Sequence, residues 1–111
     1  MKRIRWAVEE AVALYSLCVK FGFRIPEENL KKLSAVLNKR ANMLDIEVDD
    51  KFRNVTGLNM QAACIEYAVT NGKSGLSSVN KLFYDVDDLY KNDNEKFCKI
   101  LNEFVEKYGE F

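Results

Sequence analysis

The chain contains no histidine. That absence removes the usual acid–base group at neutral pH, the base of Ser/His and Cys/His nucleophilic pairs, and the commonest ligand of zinc hydrolases. Cysteine is sparse as well. Cys18, Cys64 and Cys98 are odd in number, widely spaced and set among apolar residues, with no CxxC pair. This pattern argues against a disulfide framework or a zinc site and predicts three reduced, buried thiols in a cytoplasmic protein. With one proline and five glycines, the chain shows no flexible linker, low-complexity tract or repeat. Residues 1–111 therefore read as a single helical domain. Long apolar runs are missing too: the opening KRIRWAV is basic and then apolar, but Glu9 and Glu10 interrupt it at once. It reads as neither a signal peptide nor a membrane span, and no membrane partner is expected. Without an export signal the sequon Asn54-Val55-Thr56 carries no meaning.

Net charge is the last absence. Seventeen basic and seventeen acidic residues cancel, which removes the global signal of a nucleic-acid-binding domain. The cancellation hides a gradient. Residues 1–40 hold nine Lys/Arg against four Asp/Glu, residues 41–70 two against five, and residues 71–111 six against eight. A basic amino-terminal third suits either a phosphate-facing patch or ordinary solvated helix surfaces.

What is present is apolar periodicity. With 48% apolar residues, a chain of 111 can bury a core. Val8, Ala11, Val12, Tyr15, Cys18 and Val19 form a helical stripe that Gly22 stops, with Leu17 on the side of Glu10, Ala13 and Lys20. Pro26 suits the first turn of a second helix carrying Leu30, Leu33, Leu37, Ala41 and Leu44. Residues 45–57 hold four acids and no helical period, so they read as a long loop with a short extended piece at Ile46–Val48. Thr56 is the expected cap of a third helix built on Leu58, Ala62, Ile65 and Val69. Ser77 or Ser78 is expected to cap a fourth, and Asn92-Asp93-Asn94 breaks it from a fifth that ends at Gly109. The expected fold class is all-α: about five helices, a trihelical helix-turn-helix-like unit plus two C-terminal helices packed across it.

Patterns that would carry chemistry fail on inspection. Gly72-Lys73-Ser74 lacks the upstream glycine of a phosphate-binding loop, Tyr67 standing in its place. Asp85 and Asp88 share a helical face that Asp87 leaves. The acids from Asp45 to Asp50 lack the glycine and terminal glutamate of a calcium loop. No catalytic residue, metal ligand or cofactor is assigned, and the chain alone is not expected to be an enzyme.

Four groups of residues carry a family resemblance. They are Trp6 with Glu9 and Glu10; Leu33, Ser34, Leu37, Asn38 and Arg40; Phe52, Arg53, Asn54, Gly57 and Met60; and Gly72, Gly75 and Leu76. In this order, over about residues 6–90, the chain resembles a helical module at the amino terminus of bacterial and phage-type HNH endonucleases and modification-dependent restriction proteins. The resemblance implies a helix-turn-helix-like fold that contributes DNA contact or specificity beside a separate nuclease domain.

Taken with the basic first third, it makes the expected function that of a non-catalytic DNA-binding or specificity module of a restriction or mobile-element protein. Lys31, Lys32, Lys39, Arg40 and Arg53 are the candidate phosphate contacts on duplex DNA, and Asn59, Gln61 and Glu66 the candidate readers of base edges. Each has a structural reading. Arg53 also suits a pair with Asp49 or Asp50, Asn54 an Asx-type turn, Gly57, Gly72 and Gly75 backbone needs, and Trp6, Phe52, Met60 and Leu76 the core. The alternative is a protein-interaction module, an adaptor or inhibitor, marked by an exposed apolar patch near Leu17, Phe21 and Phe23.

Overall fold

Five helices account for the architecture: α1 (Val8–Phe21), α2 (Glu27–Met43), α3 (Val55–Val69), α4 (Lys81–Asn92) and α5 (Asn94–Tyr108). The computed structural model describes residues 4–111, and among them there is no strand. The fold is all-α, as expected; the extended piece anticipated at Ile46–Val48 does not form a strand. The first three helices contact one another in pairs. Eleven residues, 44–54, join α2 to α3, where a tight helix-turn-helix uses three or four.

The axis of the molecule is α1, which touches all four other helices. Its residues Glu10 to Tyr15, with Leu17 and Cys18, are buried. A helix enclosed on every side has no polar face to present. This corrects the placing of Leu17, which is 2% exposed and unavailable to any surface patch. Val8 and Val19, expected within the stripe, lie at the helix ends and are exposed.

Helix termini follow local chemistry, with two corrections. Asn54, not Thr56, caps α3: its Oδ1 accepts from the Gly57 amide at 2.8 Å. Asn80, not Ser77 or Ser78, caps α4, accepting from the Leu82 amide at 2.9 Å. Asp93 ends α4 and caps α5 through the Lys96 amide. Gly22 closes α1 in the left-handed region, φ 62°, where glycine escapes the Cβ clash of other residues.

A single core links all five helices, with Phe83 and Phe104 the largest side chains wholly enclosed. Tyr15 crosses from α1 to α4, donating to Asp87 Oδ1 at 2.6 Å, while Lys91 pairs with the same carboxylate at 3.0 Å. Phe52 is buried and Trp6 packs edge-on against Phe83, but Met60 and Leu76, also expected in the core, are exposed at 51% and 46%.

The thiols divide. Cys18 and Cys64 are buried, whereas Cys98, expected to be buried as well, stands exposed on α5. Burial pushes the Cys18 thiol from its ordinary 9.0 up to about 12, with Glu66 adding to the rise, and raises the Cys64 thiol too. An aromatic disulfide reagent at neutral pH should therefore modify one thiol at once and the other two only as the protein opens. Simultaneous reaction of all three would contradict this burial. The sign for stability follows. Above pH 9 the unfolded chain releases the Cys18 proton while the folded chain keeps it, so stability should fall as pH rises from about 9 to about 12.

Candidate functional site

Seven residues of the family-like pattern, Trp6, Glu9, Glu10, Asn38, Arg40, Phe52 and Arg53, meet at one place, whereas Met60, Gly72, Gly75 and Leu76 lie outside it. Glu10 is 1% exposed, and its carboxylate accepts from Arg53 Nε at 3.0 Å and Arg53 Nη2 at 3.2 Å, a two-toothed pair. The same carboxylate accepts from the Ala7 amide at 3.0 Å, satisfying a free donor at the start of α1. Arg40 donates to Glu9 at 2.6 Å and lies 3.8 Å from Glu10. The Arg53 guanidinium sits over the Trp6 ring at 4.3 Å and the Phe52 ring at 4.4 Å, and Arg53 also donates to the Arg5 carbonyl. Asn38 of α2 completes the cluster by donating to the Phe52 carbonyl at 3.0 Å. Two acids and two bases make it neutral.

This geometry reassigns two expected phosphate contacts. The Arg40 and Arg53 side chains are only 11% and 9% exposed, and each is committed to a glutamate. Arg53 pairs with Glu10, from the first helix, and not with Asp49 or Asp50. Drawing Arg53 out to a phosphate would leave Glu10 charged, buried and short of its partner, at a cost of roughly 3–5 kcal/mol. Neither arginine is free to bind an anion.

The other candidates scatter. Lys31, Lys32 and Lys39 are exposed on α2, with Lys32 paired to Glu28 at 3.6 Å. Asn59 and Glu66 lie seven residues apart on one side of α3, whereas Gln61, two residues from Asn59, is turned about 200° away. Glu66 accepts from the Ser74 hydroxyl at 2.7 Å. Asn59, Gln61 and Glu66 therefore do not form one reading face. Nor does α3 project: it packs against α1, α2 and α4, and the turn at Gly75 lies on it, with the Leu76 amide donating to the Ala63 carbonyl.

What the structure does bring together is an open groove of about 1280 Å³. One wall is the segment Ile4–Trp6, held by Arg53; the other is the stretch Ser77–Leu82 that leads into α4. Gln61 of α3 opens into it, beside Ser77, Ser78 and Asn80. Arg5 and Lys51 also line it, are exposed, and pair with no carboxylate among the described residues. Asp49 is the acid that lines the groove, and its Oδ1 accepts from the Lys51 amide at 3.0 Å. Of these residues Gln61 is the one expected from the sequence to read base edges. Arg5 was visible only as part of the basic amino terminus, and Lys51 only as the end of the acidic loop. Lys2 and Arg3, which complete that basic start, lie outside the described residues.

Among the described residues, no group of three His, Cys, Asp or Glu side chains is placed to hold a metal ion. Nor is any helix long and apolar enough to cross a membrane. Comparison with family models, with curated proteins and with solved structures finds no match to this chain.

Proposed function

We propose that this protein is a non-catalytic nucleic-acid-binding module whose contact surface is the groove between Ile4–Trp6 and Ser77–Leu82. One observation carries the reading: Arg5 and Lys51, exposed and paired with no carboxylate among the described residues, flank a concavity lined by the amides and hydroxyls of Gln61, Asn80, Ser77 and Ser78, with Asp49 as its acid. Uncommitted cations meet phosphates and release counterions, while amides such as Gln61 and Asn80 pair with base edges. The order of family-like residues favours DNA as the polymer. Lys31 and Lys39 on α2 would add only peripheral attraction.

With two or three phosphates neutralised, binding should weaken with salt along a log–log slope of roughly −2. Fluorescence anisotropy with short labelled DNA at low and moderate salt measures that slope. Lys51→Glu should weaken binding by about tenfold, the equivalent of about 1.4 kcal/mol, whereas Lys39→Glu should change it little. No binding at low salt, or binding lost with Lys39→Glu and kept with Lys51→Glu, would overturn the proposal.

A protein partner is a second reading, favoured by one feature. The bond from the Leu76 amide to Ala63 sets the exposed Leu76 beside the turn of α3 that carries the exposed Met60. Such a partner would meet Leu76 and Met60, since Leu17 itself is buried.

A further inference from the structure

We propose that the groove takes a single nucleic-acid strand in preference to a duplex. This rests on the nucleic-acid reading above and names the form of polymer that the site accepts. A duplex keeps its base edges at the bottom of its own grooves, so a direct reader must be convex, as a projecting helix is. Here the reader is recessed. Gln61 is half-buried inside a concavity, on a helix packed by three others and covered on a further side by the turn at Gly75. Among the described residues, no element of the groove stands proud enough to enter a major groove.

A single strand has the opposite shape. Its bases splay out and can turn into a slot while the phosphates stay at the rim. The groove offers that division: Arg5 and Lys51 are exposed, Gln61 is recessed, and apolar surface of Trp6 and Leu82 is available to base faces. Its volume of about 1280 Å³ exceeds the roughly 300–1,000 Å³ typical of small-molecule pockets, which suits a length of polymer.

The test is an anisotropy titration of the whole chain with one labelled oligonucleotide of mixed sequence, offered as a single strand, as its blunt duplex, and as the ribose version of the strand. At low salt the single strand, of either sugar, should bind about tenfold tighter than the duplex, since only unpaired bases can turn onto the groove's apolar surface. Gln61→Ala should weaken the single strand several-fold and the duplex by a smaller factor. Lys51→Glu should weaken both. Duplex binding equal to or tighter than that of both single strands would overturn this inference while leaving the nucleic-acid reading intact. Failure of all three probes to bind would overturn both.

Discussion

Replacing Glu10 with alanine should cost about 3–5 kcal/mol of stability, the range found when one member of a buried ion pair is deleted. For a domain whose whole stability is roughly 5–15 kcal/mol, that removes a large share of it. Glu10 is 1% exposed and receives three hydrogen bonds, two from Arg53 and one from the Ala7 amide. The variant would leave the Arg53 guanidinium held between Trp6 and Phe52 with its charge unmatched. Glu10→Gln keeps the shape and an acceptor but loses the charge, so its cost should be smaller than that of alanine while remaining well above 1 kcal/mol. Arg53→Lys should also destabilise, because an ammonium cannot reproduce the two-toothed contact or the stacking. Urea denaturation reads all three. Losses under about 1 kcal/mol for Glu10→Ala would show that the cluster is not what joins the first helix to the loop before α3.

Gly75→Ala should be the next most damaging change, on the order of 3 kcal/mol. Gly75 has φ 99°, and a Cβ there would collide with the Ala63 carbonyl oxygen and sit 2.7 Å from the Tyr67 amide nitrogen. Both are helix backbone, which cannot yield as a flexible side chain does. Gly22 supplies the control. Its φ is 62° with nothing within 4 Å of the added carbon, so Gly22→Ala should cost only the left-handed backbone, about 1–2 kcal/mol. Thermal or urea unfolding of the two variants compares them directly. Equal losses would mean that the turn does not sit against α3, and the far wall of the groove would lose its support.

Much of the helical skeleton is legible in the sequence, because its signals are local. Apolar spacing places α2, Gly22 stops α1, and Asp93 both ends α4 and starts α5. The failures share a cause. Leu17 reads as belonging to a polar side because Glu10 lies on that side, yet Glu10 is itself buried. What makes that burial tolerable is Arg53, forty-three residues away, and no periodicity within α1 reveals it. The cap of α3 is a closer contest: Asn54 and Thr56 are both capping residues, and the bond from Gly57 decides for Asn54. Met60 and Leu76 are apolar at positions that the packing of α1, α2 and α4 around α3 leaves outside.

The candidate site was less legible, for the same physical reason. Its lining comes from residues 4–6, 49, 51–53, 61, 77–80 and 82, brought together only by the completed fold. The family-like pattern pointed to Arg40 and Arg53 as binding groups. Both are instead committed to Glu9 and Glu10, and Arg53 also holds the Arg5 carbonyl and stacks on Trp6, fixing the near wall. On this reading the pattern records how the groove is built, while Arg5, Lys51 and Gln61 touch the ligand.

Amide chemical-shift mapping tests that division of labour most directly. A short single-stranded DNA added to the isotope-labelled chain at low salt should shift the amides of Arg5, Trp6, Lys51, Gln61 and Ser77–Asn80, and leave those of Lys31, Lys32 and Lys39 on α2 near their starting positions. Shifts centred on α2 and the Asn59 side of α3, with the groove amides unmoved, would contradict the account.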